Sequence, residues 1–234
     1  MKKTPKPFTL SVIIPVFNEA NTIKEIIQRV KDTDLVDEIV LVDDGSQDGT
    51  RGILTEYQNK PGMKVILHEK NQGKGAAIQT GLQAVASDLV LIQDADLEYD
   101  PRDYPMLLQP INEGLADVVY GSRFLGGPRR PILFWNMVAN KILTFTTNML
   151  YNNILTDMET GYKMFKREVV KDIRIRARGF DFEPEFTAKI LKKHIRIYEV
   201  PIRFTPRFYE EGKKIRMKDA FIAMWTLVKY RFVN

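Results

Sequence analysis

The chain of 234 residues is 44% hydrophobic and 28% charged, enough to bury one full core, and it carries no low-complexity tract or internal repeat, which excludes disorder and solenoid folds. Cysteine is absent and the histidines are only His68 and His194, so disulfides, thiolate catalysis and Cys/His zinc sites are excluded, and any metal must be a hard cation held by oxygen. The net charge of +5 is uneven, with Arg129, Arg130, Lys213, Lys214, Arg216 and Lys218 all in the second half, a distribution suited to phosphates or an anionic membrane surface.

Residues 1–8 read as a tail in which Lys2, Lys3 and Lys6 precede Phe8 without the apolar run of a secretory signal, and no apolar stretch of about 18 residues follows, so a cytoplasmic location is expected. From residue 9 to 217 the pattern is that of one α/β domain. Leu10 to Pro15 reads as a buried strand, and Asn21 to Lys31 places Ile23, Ile26, Ile27 and Val30 at helical spacing. Further strands are predicted at Glu38 to Val42, Val65 to Leu67 and Leu89 to Ile92, with helices from Thr50 and Lys74 between them. This alternation predicts a mostly parallel, Rossmann-like sheet covered by helices on both faces.

Ligands of such sheets bind beyond the carboxyl ends of the strands. There the sequence supplies Pro15, Phe17, Asn18 and Glu19 after the first strand, Asp43 and Asp44 after the second, and Asp94, Ala95, Asp96 and Glu98 after the fourth. Asp48 and Asp100 read as turn or cap residues. Five carboxylates at successive strand ends (Glu19, Asp43, Asp44, Asp94, Asp96) repel one another unless a cation or hydrogen-bond donors compensate them, which predicts a bound ligand or metal.

Asp94, Asp96 and Glu98 supply part of an octahedral oxygen shell for Mg2+ or Mn2+, whose remaining ligands are water and phosphate oxygens. Such a cation would offset charge growing on a diphosphate leaving group. The run from Asp44 to Gly49 is not a calcium loop, because its twelfth position is Thr55 and not a bidentate glutamate. Gly73 and Lys74 open a helix, where they either bring N–H groups and an ammonium to a phosphate or simply form a tight turn.

The segments VIIPVFNE (12–19), VDDGSQDGT (42–50), NQGKGAAIQTG (71–81), DADLEYDP (94–101) and GSRF (121–124) resemble family 2 glycosyltransferases. TDMETGYKMF (156–165) and EVPIRFTPRFYEEGKK (199–214) narrow the resemblance to the dolichol-phosphate mannose synthases and their bacterial polyprenyl-phosphate relatives. The resemblance runs in order from about Leu10 to Lys218 and implies a GT-A fold, a nucleotide-diphosphate sugar donor and a polyprenyl phosphate acceptor at a membrane surface, with no nucleic acid partner. It assigns Pro15, Phe17 and Glu19, with Asn18 beside them, to the nucleotide, and Val42, Asp43 and Asp44 to base and ribose. Asp94, Ala95 and Asp96 inherit the diphosphate and metal, Asp96 most directly, and Glu98 stands where the mannose synthases often carry glutamine. Lys163, Arg207 and Lys213 are implied to hold the diphosphate or the acceptor phosphate. Lys163 replaces an arginine found in many members and loses its bidentate fork; alone, it reads equally as an exposed strand cation.

A polyprenyl phosphate oxygen is ionised and attacks the anomeric carbon without a general base, giving inversion, with Arg123, Arg129 and Arg130 as candidates to hold it. A hydroxyl acceptor would need a base, for which Asp157 and Glu159 are the candidates. Residues 131–151 predict a helix with a wide apolar face and a polar stripe of Asn136, Asn140, Thr144 and Asn148, and residues 218–234 a second amphipathic helix with Phe221, Trp225, Val228 and Phe232 on one face. Each suits either packing on the sheet or a peripheral position at the cytoplasmic face of a membrane. Competing readings are a soluble family 2 enzyme acting on a saccharide or protein hydroxyl, a nucleotidyltransferase, which the PVFNE segment disfavours, and a non-catalytic sugar-nucleotide or membrane-binding module.

Overall fold

The structure, a computed structural model, describes residues 7–126, 128, 130–131, 133–207 and 217–233. Strands β1 (Leu10–Val16), β2 (Glu38–Asp43), β3 (Met63–Leu67), β4 (Leu89–Ile92), β5 (Val118–Ser122), β6 (Lys163–Lys166) and β7 (Ile197–Pro201) form one seven-stranded sheet in the order β3-β2-β1-β4-β6-β5-β7. Only β6 runs antiparallel to its neighbours, β4 and β5. Helices α1 (Ile23–Lys31), α2 (Thr50–Thr55), α3 (Lys74–Ala84), α4 (Tyr104–Asn112), α5 (Phe134–Tyr151), α6 (Arg167–Lys171), α7 (Phe182–Lys192) and α8 (Met217–Phe232) connect and cover it.

The expected period of two along β1 sends Val12, Ile14 and Val16 to one face and Ile13 to the other, and both faces are covered, which is why the strand reads as an unbroken apolar run. One cluster joins Ile23, Ile26, Ile27 and Val30 of α1 to Tyr104, Leu107 and Ile111 of α4. The other joins Ala77 and Ile78 of α3 to Phe182, Phe186 and Ile190 of α7 and to Leu227 of α8. Because β1 lies between β2 and β4, the chain reverses its winding there, and the carboxyl ends of these three strands open onto one crevice.

Helix α5 departs from the usual polarity of a surface helix. Its polar stripe faces inward: Asn148 Nδ2 donates to the Leu155 carbonyl and its Oδ1 accepts from the Leu155 N–H, both at 2.8 Å. Thr144 Oγ1 donates to Asn140 Oδ1 and accepts from the Met158 N–H. The apolar residues Phe134, Trp135, Ile142, Phe145 and Met149 point outward, with Trp135 72% exposed. Helix α8 packs beside it, the Tyr151 hydroxyl donating to the Leu227 carbonyl at 2.7 Å, and turns Ala223, Leu227 and Tyr230 inward while Phe221, Trp225 and Phe232 stay exposed. No described helix is long and apolar enough to cross a membrane.

Replacing Asn148 with Ala leaves both backbone groups of Leu155 without their partner, and the expected loss is about 1–3 kcal/mol, read as a lower urea midpoint at unchanged m-value. A shift within experimental error would mean that the loop after α5 does not depend on this bracket.

Candidate active site at the carboxyl ends of the strands

The first two expected motifs meet beyond β1 and β2. The Asn18 N–H donates to Ser46 Oγ and Asn18 Oδ1 accepts from the Gln47 N–H, each at 2.9 Å, which ties the loop after β1 to the loop after β2. Asn18 takes a left-handed φ of 52°, a conformation that asparagine tolerates better than most residues. Pro15 and Phe17 are partly buried beside it, whereas Val42 and Ala95 turn their side chains into the two cores, so neither offers a side-chain contact to a nucleotide.

Asp43 and Asp44 are buried and bound within the protein. Asp43 accepts from Arg51 Nε and an Arg51 terminal nitrogen at 2.9 and 2.8 Å. Asp44 accepts the Gln72 and Gly73 N–H groups at 2.9 and 2.7 Å and contacts His68 Nδ1 at 2.8 Å, so its carboxylate braces the turn into α3. Asp48 closes the turn before α2 by accepting the Thr50 N–H, and Asp100 acts as a cap, accepting the N–H of Arg102.

At the turn into α3, Gly73 forms a tight turn and not a phosphate cradle. Its N–H is held by Asp44, and the Ala76 N–H donates to the Arg178 carbonyl. A Cβ on Gly73, whose φ is +99°, would lie 2.3 Å from the Arg178 carbonyl oxygen, so this glycine serves the approach of the 177–178 segment and not of a ligand. Lys74 instead bridges Asp94 Oδ1 at 2.9 Å and Glu183 Oε1 at 3.1 Å. Burial opposes its charge, and the two carboxylates overcome it and hold the ammonium well above the ordinary lysine range.

The loop after β4 turns back on itself through Leu97, a left-handed residue with φ 63° and no glycine to relieve it. The turn wraps Asp96 and Glu98 around Arg207: a terminal guanidinium nitrogen reaches Asp96 Oδ2 at 3.1 Å, the guanidinium meets Glu19 at 3.2 Å, and the Arg207 N–H donates to Glu98 Oε1 at 2.7 Å. Glu98 is thereby drawn to the backbone of residue 207, and among the described residues no three acidic or histidine side chains are arranged around one metal position, which corrects the three-carboxylate shell expected from the sequence. Asp94 and Asp96 remain a hard oxygen pair that fits a divalent cation completed by phosphate and water. Burial and the charges of Asp94 and Glu98 push the Asp96 carboxyl up to about 7 against the pull of Arg207.

The third group lies beneath β5 and β6. Asp157, fully buried, takes a two-point ion pair from Arg123, Nε to Oδ2 and a terminal nitrogen to Oδ1, both 2.7 Å, and accepts from Asn140 Nδ2 of α5 at 3.0 Å. Asp157 therefore orients Arg123 and is not placed to act as a base. Burial works to raise the Asp157 carboxyl, and the guanidinium outweighs it and lowers it below the ordinary value. The Arg123 guanidinium also lies 5.2 Å over the Phe204 ring. Lys163 is fully buried, neither the phosphate ligand that the resemblance implies nor an exposed strand cation: its Nζ donates to the Met158 carbonyl at 2.9 Å and to the Thr160 carbonyl, closing the 157–161 loop from below. Arg130 reaches the same rim through its N–H, which donates to the Phe204 carbonyl. Arg129 and Lys213 lie outside the described residues.

Sequence reasoning missed Glu183, which shares Lys74 with Asp94, and a buried relay in which Tyr104 and Tyr162 both donate to Gln93 Oε1 while Gln93 Nε2 donates to the Asp94 carbonyl. No local pattern marks Glu183 among the acidic residues that open α7, since only the fold brings it to Lys74.

The Asp157–Arg123 pair gives a test of its structural part. An aspartate more acidic in the folded than in the unfolded state stabilises the fold above its unfolded pKa of about 3.9, and that contribution is lost as pH falls through the folded value. Asp157→Asn is expected to cost about 3 kcal/mol at neutral pH and to weaken the acid limb of the stability profile. Equal urea midpoints for both proteins between pH 3 and 7 would contradict it.

Residues 11–174 match the profile of Glycosyl transferase family 2. A UDP-N-acetylglucosamine–dolichyl-phosphate N-acetylglucosaminyltransferase of Methanococcus voltae is 32% identical over 93% of this chain and 94% of its own length. A dolichol-phosphate mannosyltransferase of Pyrococcus furiosus is 31% identical over 87% of this chain, which spans 58% of that protein and about half to two-thirds of other curated relatives. The glucosyl-3-phosphoglycerate synthase of Mycobacterium tuberculosis, solved with Mn2+, UDP and phosphoglyceric acid, superposes with a TM-score of 0.74 at 23% identity, covering 97% of this chain and 80% of that one; this likeness shows a shared GT-A fold.

Proposed function

The chain belongs to glycosyl transferase family 2, and on that premise we propose that it transfers a hexose from a nucleoside-diphosphate sugar to the phosphate of a polyprenyl lipid, with inversion, while resting on the cytoplasmic leaflet. The observation that carries this reading is the reversed polarity of α5: one helix steadies the Asp157–Arg123 pair through Asn140 and turns an apolar aromatic face outward. A phosphate tethered to a hydrocarbon chain requires this pairing of a cation with an adjoining apolar surface. Exposed Lys141, Lys229 and Arg231 border the apolar residues and suit the anionic cytoplasmic leaflet.

In the proposed reaction Arg123, with Arg130 beside it, holds the lipid phosphate. One of its anionic oxygens bonds to the anomeric carbon as the bond from that carbon to the diphosphate oxygen breaks, and the electron pair leaves with the nucleoside diphosphate. No proton changes hands. Asp94 and Asp96 are the residues that would hold Mg2+ or Mn2+, which when bound supplies electrophilic stabilisation of the departing diphosphate. Arg207 leaves its carboxylate partners for the diphosphate oxygens, and the Asn18 and Asp43 loops flank the nucleoside.

Radiolabelled UDP-glucose, UDP-N-acetylglucosamine and GDP-mannose, each offered with a polyprenyl phosphate or with free saccharides, test the acceptor class. Label is expected in the lipid fraction only; label in the saccharide fraction alone would establish the hydroxyl-acceptor alternative. Asp96→Asn is expected to lower kcat at least a hundredfold with an unchanged melting temperature, and wild-type turnover in that variant would remove Asp96 from the chemistry. Replacing both Trp135 and Trp225 with Glu is expected to abolish co-flotation with vesicles containing anionic lipid. If the double variant floats as the wild type does, the aromatic face is not the membrane contact.

A further inference from the structure

Among the described residues only Asn136 Nδ2, Glu159 Oε1 and Arg207 Nε are buried side-chain polar atoms without a hydrogen-bond partner. A buried carboxyl oxygen left unpaired costs about 1–3 kcal/mol, more if charged, so one that persists calls for a functional explanation, of which completion by a ligand is one. Glu159 stands out because its surroundings are already built. Below it, Lys163 closes the 157–161 loop through the carbonyls of Met158 and Thr160, the residues on either side of it. Two residues on, Gly161 lies against the carboxylate of Asp94, where a Cβ would fall 2.5 Å from Asp94 Oδ2, and its N–H donates to the Tyr99 hydroxyl at 2.9 Å. The loop that carries Glu159 is therefore pinned directly beside the first carboxylate of the Asp94–Asp96 pair.

Glu183, Asp157, Arg123 and Lys163 set the charge around Glu159. Glu183 faces it but is already paired with Lys74, Asp157 is paired with Arg123, and Lys163 donates to backbone carbonyls. Burial, followed by the Glu183 charge, pushes the Glu159 carboxyl up to about 8. In its protonated form it offers one hydroxyl donor and one acceptor, the complement of a sugar hydroxyl.

We propose that Glu159 is a specificity residue for the donor, its carboxyl pairing with a hydroxyl of the transferred hexose while the diphosphate is held at Asp94, Asp96 and Arg207. The inference rests on the donor reading given above and adds the residue that reads the sugar. A site built around hydrogen bonds to a hydroxyl discriminates strongly against sugars that lack or misplace it, because the carboxyl is then left unpaired again.

Calorimetric titration of the full chain in MnCl2 with UDP, GDP, UDP-glucose, UDP-N-acetylglucosamine and GDP-mannose separates the sugar contact from the nucleotide contact. Glu159→Ala is expected to weaken the preferred sugar nucleotide at least tenfold while its free diphosphate changes less than twofold, with the isosteric Glu159→Gln recovering part of the loss and narrowing the preference among sugars. Equal losses for the sugar nucleotide and the free diphosphate, or no loss for either, would overturn the assignment. So would a collapse of kcat at unchanged donor affinity, the signature of a base acting on a hydroxyl acceptor. A wild-type chain that binds none of the conjugates would sink the donor reading itself, a result distinct from a normal wild type with indifferent variants.

Discussion

Carboxylates gathered at the ends of adjacent strands repel one another, and the upper half of this molecule is organised around relieving that repulsion. Asp43 takes Arg51, Asp44 takes two backbone N–H groups and His68, Asp94 takes Lys74, and Asp96 shares Arg207 with Glu19. The compensation is graded. It is complete at Asp43 and Asp44, which are sealed beneath the rim, and incomplete at Asp96, whose proton affinity stays raised with a guanidinium in contact.

A second constraint couples the crevice to the outer surface. A helix that places Asn140, Thr144 and Asn148 inward uses these polar residues to hold the loop from 152 to 158, and Phe134, Trp135, Ile142, Phe145 and Met149 on its opposite side face away. The aromatic surface of α5 and α8 and the orientation of Arg123 are in this sense one structural decision. Moving the polar stripe outward would free Asp157 and Leu155 as well as hide the apolar face.

Much of this was legible in the residues. The apolar runs and the acidic residues that follow them located β1, β2 and β4 to within a residue or two and named the crevice they open on, because side-chain periodicity and burial are local properties. The turn role of Asp48 and the cap role of Asp100 were equally local, since a carboxylate two residues before the N–H it accepts needs no tertiary contact. What misled was chemistry judged by residue type alone. Gly73, open to a phosphate cradle or a tight turn, is the turn that lets the 177–178 segment approach; Lys163, open to a phosphate role or an exposed strand position, is a buried clamp; Asp157, a base only for a hydroxyl acceptor, is the partner of an arginine 34 residues earlier in the chain.

The sequence by itself determined the α/β class, the family and the rim where the acidic motifs converge, all of which depend on order and spacing along the chain. Only the tertiary structure decided which of those charges are already paired, that α5 turns its polar side inward, and that Glu159 alone among its neighbours keeps a buried carboxyl oxygen unmatched. Pairing and burial depend on distances between segments remote in sequence, such as Glu19 and Arg207, and no local pattern encodes them.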